Sequence, residues 1–272
     1  MTNYIIHRRD KANAGDMASN PKHYFKEWLD DFKVIDIVDI EWANLDGSHV
    51  ILGGGGLLYD DFTPFMHQII NANLKSLTLW GIGRNRHHIN DDSFPAFADA
   101  LFKKADLIGL RDCRLHPDWV PCVSVMHPLF SNDTFWRQAG DGEGVLACQH
   151  REDRFRFRYP PADDWGDVIM QGRPTLIIEE IIKSDVVISS SYHGALWGLC
   201  AGKKVVAVDG FSQKFRTGLP DSVRLLNSVE LNQGKKLRTA ILNSITKNPD
   251  WVSEAQMRTI SFAAKVRKLV EQ

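Results

Sequence analysis

Apolar residues follow two alternating patterns along most of the chain: short continuous runs, and longer segments in which apolar positions recur at helical spacing. The runs predict strands at residues 4–7, 32–38, 49–52, 77–81, 107–110, 145–149, 186–189 and 204–208. The helical spacing predicts helices at residues 21–31, 63–73, 94–105, 175–183, 193–201 and 253–270, with Thr175 and Ser253 as N-caps. Residues 155–159 fit either an edge strand or an exposed turn. This alternation indicates an α/β fold with largely parallel sheets.

A polar, glycine-containing segment at residues 131–144 interrupts the alternation. We therefore predict two Rossmann-like lobes that face a cleft: an N-terminal lobe (1–130), a linker (131–143) and a C-terminal lobe with a closing helix (144–272). In open parallel sheets, ligands bind beyond the carboxyl ends of the strands. The loops predicted at that edge are residues 53–56, 81–85, 111–112 and 189–193.

The composition argues against several classes of protein. The chain has 33 Lys and Arg against 34 Asp and Glu, so it lacks the basic excess of a nucleic-acid binder. No run approaches the roughly 20 apolar residues of a membrane helix, and we expect no signal peptide at residues 1–16. The four cysteines (Cys113, Cys122, Cys148, Cys200) form no CxxC pair, and His87 and His88 have no carboxylate at metal-ligand spacing. We expect a reduced, cytoplasmic protein without a metal.

Four consecutive glycines, Gly53, Gly54, Gly55 and Gly56, lie between a predicted strand and a predicted helix. Glycines in this position let backbone amides approach an anion closely. The tetrad is neither a Walker loop nor a GxGxxG fingerprint. The alternative interpretation, which the sequence favours equally, is a tight turn that packs the two lobes together.

Charged residues and a histidine end several other strands. Arg111 and Asp112 fit either a bidentate anion site or an internal ion pair that braces the loop. His193 lies in the run SSSYHGA, where a strand passes into a helix; a histidine there can serve as an acid or base near neutral pH, or be structural. Lys214 follows a strand and is expected to face the cleft. The basic run 151–158 fits an anion-attracting surface or an exposed edge strand.

Several motifs occur together in a characteristic order: NAGD at 13–16, GGGGLL at 53–58, WGIGRN at 80–85, ADLIGLRD at 105–112 and SDVVISSSYHGALWGLCAGKKVVAV at 184–208, followed by Lys214. In this order and spacing the chain resembles the polysaccharide pyruvyl transferase family from about residue 13 to residue 214. The resemblance implies a fold like that of two-lobed, GT-B-type glycosyltransferases. It also implies a reaction in which the pyruvyl group of phosphoenolpyruvate moves to a sugar as a ketal and phosphate leaves.

The family's members act in making exopolysaccharides, capsules or cell-wall polymers, and phosphoenolpyruvate is their co-substrate rather than a bound cofactor. The resemblance implies that the partners are phosphoenolpyruvate and a glycan or lipid-linked glycan acceptor. The protein would then work in the cytoplasm, with the inner face of the membrane as a second expected location. No nucleic-acid partner is expected.

The resemblance maps the family's histidine to His193 and its Arg-Asp pair to Arg111 and Asp112. For this reaction we hypothesise that His193 would be the general acid/base and that Arg111 and Lys214 would bind the anionic groups of the donor. Asp16 would orient the acceptor hydroxyls, and the amides of Gly53–Gly56 would line the cleft. The family's pattern is Arg-x-His-Gly, and here Ser191 stands in the position of that arginine. Arg84, Arg173 or Lys214 are the candidates to supply its charge.

Two other functions fit the same cleft. A glycosyltransferase with a nucleotide-sugar donor would need a carboxylate for the ribose, for which Glu179 and Glu180 are the candidates. A non-catalytic relative that binds a sugar or an anion is the other alternative, suggested by Ser191.

Overall fold

The fold comes from a computed structural model, which describes residues 2–85, 93–112, 117–131, 142–158, 165–208, 212, 214–244 and 249–272. The sequence predictions for His87, His88 and Cys113, and for most of the linker, fall outside these residues.

The first half of the chain forms a five-stranded parallel sheet in the order β2-β1-β3-β4-β5. Its strands are β1 (Tyr4–His7), β2 (Lys33–Asp36), β3 (His49–Leu58), β4 (Ser76–Arg84) and β5 (Leu107–Leu110). The central strands β3 and β4 are buried along almost their whole length, because helices and loops cover both faces of the sheet.

The second half repeats this arrangement. Five parallel strands lie in the order β10-β9-β8-β6-β7. They are β6 (Val145–Gln149), β7 (Trp165–Ile169), β8 (Val186–Ser189), β9 (Lys204–Val208) and β10 (Arg224–Leu226). If the strands of each half are numbered separately, both sheets have the order 2-1-3-4-5, which is a common order of doubly wound α/β folds. The prediction of a Rossmann-like α/β fold with parallel sheets is confirmed.

Helices connect and cover the strands. They are α1 (Ala14–Ala18), α2 (Lys26–Leu29), α3 (Thr63–Asn71), α4 (Ala98–Lys104), α5 (Pro174–Lys183), α6 (Tyr192–Cys200), α7 (Lys214–Thr217), α8 (Ser228–Leu231), α9 (Gly234–Asn243) and α10 (Pro249–Val270). The 3₁₀ helices are Pro21–His23, Ile37–Trp42, Asp60–Phe62, Val123–Met126, Pro128–Ser131 and Asp153–Phe155. Within the described residues, none of the helices combines the length and the apolar character that crossing a membrane requires.

The strands predicted at 4–7, 107–110, 145–149, 186–189 and 204–208 are confirmed with those bounds. The prediction that 53–56 and 81–85 are glycine loops is wrong, because β3 and β4 continue through their glycines. Gly53 pairs with Trp80 and Gly55 with Ile82, at φ values of +146° and +90° that disfavour other residues. A Cβ on Gly53 would lie 2.9 Å from the carbonyl carbon of Trp80. The glycines therefore bring two strands together inside the sheet.

Other local predictions are also wrong. Residues 21–31 form a 3₁₀ helix and a short α-helix, α2, rather than one helix. Arg173, not Thr175, occupies the N-cap of α5, and Ser253 lies inside α10. Of the two alternatives left open for the basic run, the described residues show no edge strand: Asp153–Phe155 form a 3₁₀ helix and residues 156–158 are not in a strand. The sequence analysis missed β7, β10, α1, α7, α8 and α9, which are short or largely polar.

Two apolar clusters connect the halves of the chain. Phe262 and Val266 of α10 pack against Trp80 of β4, with the rings of Trp80 and Phe262 5.5 Å apart. Ala14, Ala18 and Cys122 share a second buried cluster with α5 and α6. The two halves of the chain thus pack against each other at both of these clusters.

Candidate functional site

In each sheet there is a point at which the direction of the connections between strands reverses. Both points lie at one cavity of about 420 Å³. In a 2-1-3-4-5 sheet the connections run in opposite directions from the first and third strands, and a crevice opens at their carboxyl ends. Those strands are β1 and β3 in the first sheet, and β6 and β8 in the second. Two residues near the end of β3, Gly56 and Leu57, line the cavity. So do residues that follow the other three strands in the chain: Arg8, Asp10 and Asp16 from the first half, and His150, Arg151, Ser191 and His193 from the second.

His193 lies at the start of α6, where the buried aliphatic strand β8 delivers it to the cavity. Ser191 is the N-cap of this helix, and its backbone N–H donates to Oγ of Ser189 at 3.0 Å. Tyr192 contacts the imidazole edge to face, and Trp197 packs one helical turn further on. Only 8% of His193 is exposed. The ring is therefore held in one orientation, and its accessible part faces the cavity.

The imidazole of His193 is neutral at pH 7. Burial lowers its pKa well below 6.5, and the positive charges of Arg111 and Lys214 lower it further. A neutral imidazole offers one lone pair to a proton and one N–H to an acceptor. In the free protein His193 is consequently a base, and an anion bound beside Arg111 and Lys214 would make its protonation easier.

Arg111 both forms an internal ion pair and lines the cavity. Its Nε donates to Oδ1 of Asp112 at 2.9 Å, and its guanidinium lies over the ring of Tyr192 at 4.8 Å. The other oxygen of Asp112 accepts the backbone N–H of Arg84. Gly83 provides the space for this pair, since a Cβ there would lie 2.5 Å from Nε of Arg111. Asp112 itself lies behind Arg111, away from the residues that line the cavity.

Lys214 and Asp16 face the cavity with opposite pKa shifts. Burial lowers the pKa of Lys214 to about 7, assisted by the charge of Arg111, and Nζ donates to Oδ1 of Asn85 at 2.7 Å. Burial raises the pKa of Asp16 to about 6, with a further contribution from Asp10. Both groups can thus exchange protons near neutral pH.

Asp16 owes its position to the first turn of α1. Oδ1 of Asn13 caps this helix and accepts the backbone N–H of Gly15 at 3.1 Å and that of Asp16 at 3.4 Å. The motif NAGD therefore has a structural basis: the asparagine begins the helix, and the aspartate points from its first turn into the cavity.

The four glycines differ in position. Gly56 lines the cavity, and a Cβ on Gly55 would lie 3.6 Å from Oδ1 of Asp16. Gly53 packs on Trp80, and the backbone N–H of Gly54 donates to the carbonyl of Ser19 at 3.2 Å. The expectation that all four glycines line the cleft is therefore wrong: Gly56 alone of the four lines the cavity, whereas Gly53 and Gly54 serve the packing of the sheet and α1, and Gly55 lies beside Asp16.

Ser191 stands where the family that the sequence resembles has an arginine, and Arg84, Arg173 and Lys214 are the candidates to replace that charge. The structure places the three differently. Arg84 lies over the ring of Phe94 and donates to Oγ1 of Thr217 at 3.4 Å, away from the cavity lining. Arg173 is exposed at the start of α5. Lys214 lines the cavity together with Ser191.

Sequence reasoning missed the residues at the mouth of the cavity, among them Arg8, Asp10 and His150. Arg151 joins the two halves there, with Nη1 2.6 Å from Oδ2 of Asp10. Arg154 pairs with Glu152 at 2.9 Å. The available signal was the position of His150 and Arg151 directly after β6, at the carboxyl end of a strand beside the reversal point.

The site contains candidates for acid–base and anion chemistry. Across the part of the chain that the structure describes, no three His, Cys, Asp or Glu side chains are grouped so as to hold a metal ion. No family profile matches the chain, and no curated protein is significantly similar to it.

Proposed function

We propose that the protein is a pyruvyl transferase that moves the pyruvyl group of phosphoenolpyruvate to two hydroxyls of a sugar, as a ketal, and releases phosphate. The acceptor would be a precursor of an exopolysaccharide, capsule or cell-wall glycan, free or linked to a lipid at the inner face of the membrane. The observation that carries the proposal is that a buried imidazole (His193), a guanidinium (Arg111), an amine (Lys214) and a carboxyl (Asp16) line one cavity. The motifs behind the family resemblance thus lie around a common site.

The donor requires cations at two places, because phosphoenolpyruvate carries both a carboxylate and a phosphate. Arg111 and Lys214 supply these charges, and the N-terminus of α6 adds the partial positive charge of its free amides. Arg111 is held rigid by Asp112 and Tyr192. A rigid guanidinium in a buried site stabilises the charge of the leaving phosphate without reorganisation.

The proton steps follow from the neutral state of His193. His193 removes the proton of the first sugar hydroxyl as that oxygen bonds to C2 of the donor, and the proton passes to C3, which becomes the methyl group. The second hydroxyl then displaces phosphate from C2, and its proton leaves with the phosphate. Asp16 holds the two hydroxyls in position, a task that contributes through orientation.

A GT-B-like arrangement of the two lobes belongs to the same proposal. It is supported by the repeated 2-1-3-4-5 order and by α10, which follows the second sheet in the chain and packs against β4 of the first. The nucleotide-sugar alternative loses its candidate carboxylates, because Glu179 and Glu180 lie on α5 and do not line the cavity.

The proposal is tested by incubating the protein with phosphoenolpyruvate and a panel of free and lipid-linked sugars, while phosphate release and the mass of the acceptor are measured. We expect equal amounts of phosphate and of an acceptor heavier by one pyruvate less one water. His193→Ala should reduce turnover by about 10²–10⁴-fold. The matched control is His67→Ala, which removes an exposed histidine of α3. Near wild-type turnover in His193→Ala would refute the assignment. Ligand binding without phosphate release for any acceptor would support a non-catalytic relative.

A further inference from the structure

The Nε2 atom of His193 is 3.4 Å from the sulfur of Cys122, a fully buried residue of the other half of the chain. The same sulfur lies 3.3 Å from Oγ of Ser19 and 3.3 Å from Oγ of Ser124. Cys122 is thus the centre of a buried polar cluster that ends on the imidazole of the cavity.

The outer members of the cluster determine where its protons lie. Trp197 Nε1 can only donate, and it donates to Oγ of Ser124 at 3.1 Å, so the Ser124 hydroxyl directs its own proton to the sulfur. The Ser19 hydroxyl donates to the carbonyl of Gly15 at 2.7 Å, so its oxygen is left to accept from Cys122. The thiol proton therefore points to Ser19, and the contact with His193 is a donation from Nε2–H to the sulfur.

We propose that Cys122 is a positioning residue that holds the proton of His193 on Nε2 and leaves the lone pair of Nδ1 for the substrate. This inference rests on the proposed function, in which His193 takes a proton from the acceptor. It gives the buried thiol a role through its hydrogen bond.

The surroundings of the ring fit this assignment. Gly15 lies against the ring on the Nδ1 side, and a Cβ there would lie 2.6 Å from Cε1 and Cγ, so the glycine leaves room for the imidazole where any side chain would overlap it. Cys122 is held on the opposite side by the backbone: a Cβ on Gly81 would lie 2.8 Å from the carbonyl oxygen of Pro121. The glycines at positions 15 and 81 thus allow His193 and Cys122 to take up these positions.

The test uses the whole protein and needs no substrate. Two-dimensional ¹H–¹⁵N NMR distinguishes protonated from unprotonated ring nitrogens, and the signals of His193 are identified by their loss in His193→Ala. We expect Nε2–H alone in the wild type and in Cys122→Ser, whose hydroxyl can replace the thiol as donor and acceptor. Cys122→Ala should give a mixture of the two tautomers. Cys200→Ala, which removes a buried thiol from the same helix as His193, is the control and should match the wild type.

The kinetic expectation is a fall of about tenfold in kcat for Cys122→Ala, with KM for phosphoenolpyruvate unchanged and recovery in Cys122→Ser. A proton on Nδ1 in the wild type would overturn the inference, and so would an unchanged single tautomer in Cys122→Ala. If Cys122→Ala does not fold, the tautomer of His193 in the wild-type spectrum still tests the inference. If the tautomers behave as expected but no acceptor is pyruvylated, the proposed function fails and the positioning by Cys122 stands.

Discussion

Gly15 lies directly against the imidazole of His193, although 177 intervening positions separate the two residues in the chain. The contact joins α1 of the first half to α6 of the second, beside the cavity. It explains why a glycine follows the helix-capping Asn13 and Ala14, since any side chain at position 15 would overlap the ring.

Gly15→Ala should therefore damage the site more than the fold. The added methyl group must displace His193, and overpacking of this kind costs about 1–3 kcal/mol of stability. We expect pyruvyl transfer to fall by more than tenfold while the protein stays folded, measured by phosphate release and urea unfolding. Gly234→Ala is the control, because a Cβ at that position in α9 meets nothing within 4 Å. Equal activity in the two variants would contradict the placement of His193.

Lys214 should make anion binding depend on pH. Its pKa is lowered to about 7 in the free protein, and a bound anion stabilises the ammonium form, so binding takes up a proton above pH 7. The affinity for phosphoenolpyruvate should fall by up to about tenfold per pH unit between pH 7 and 9. Calorimetry in buffers of different ionisation enthalpy measures both the affinity and the proton uptake. A flat profile over this range would exclude Lys214 from the anion site.

Asp16 should lower stability at neutral pH. Its pKa is raised from 3.8 to about 6 on folding, so the folded protein binds the proton more tightly than the unfolded chain. Stability is consequently lost as pH rises from about 4 to 6, and the loss remains above pH 6. Asp16→Asn should recover at most about 3 kcal/mol at pH 8 and little at pH 4. Urea unfolding at the two pH values checks this, with the exposed Asp31→Asn as a control expected within about 0.5 kcal/mol of the wild type.

The buried pair Arg111–Asp112 should be essential for folding as well as for donor binding. Asp112→Asn leaves the guanidinium of Arg111 buried without its counter-charge, which typically costs about 3–5 kcal/mol. Glu254→Gln breaks an exposed pair with Arg258 on α10 and should cost less than about 1 kcal/mol. Comparable losses in urea unfolding for both variants would show that Arg111 is not confined as described.

The sequence predicts those parts of the fold that depend on local pattern. Aliphatic runs such as Val186–Ser189 gave strands with correct bounds, because a buried parallel strand requires continuous apolar residues. The glycine segments misled, since glycine at high density usually marks a turn, whereas Gly53 and Gly55 lie within β3. Here the tertiary packing of strands overrides the local signal.

The candidate site was predictable only in part. His193, Arg111, Lys214 and Asp16 follow or adjoin predicted elements, and the structure brings them to one cavity. The thiol of Cys122 gave no signal, because it lies 71 positions from His193 and its contact depends on the packing of two lobes. Long-range contacts of this kind are set by the assembled core.

The most direct test of the central claim is a calorimetric titration of the protein with phosphoenolpyruvate and, separately, with nucleotide sugars. The account predicts saturable binding of phosphoenolpyruvate that is weakened at least tenfold in Lys214→Met and unchanged in Lys236→Met, which alters an exposed lysine of α9. Nucleotide sugars should not compete. The account would be contradicted if phosphoenolpyruvate did not bind or if it bound the two lysine variants equally. Tighter binding of a nucleotide sugar would also contradict it.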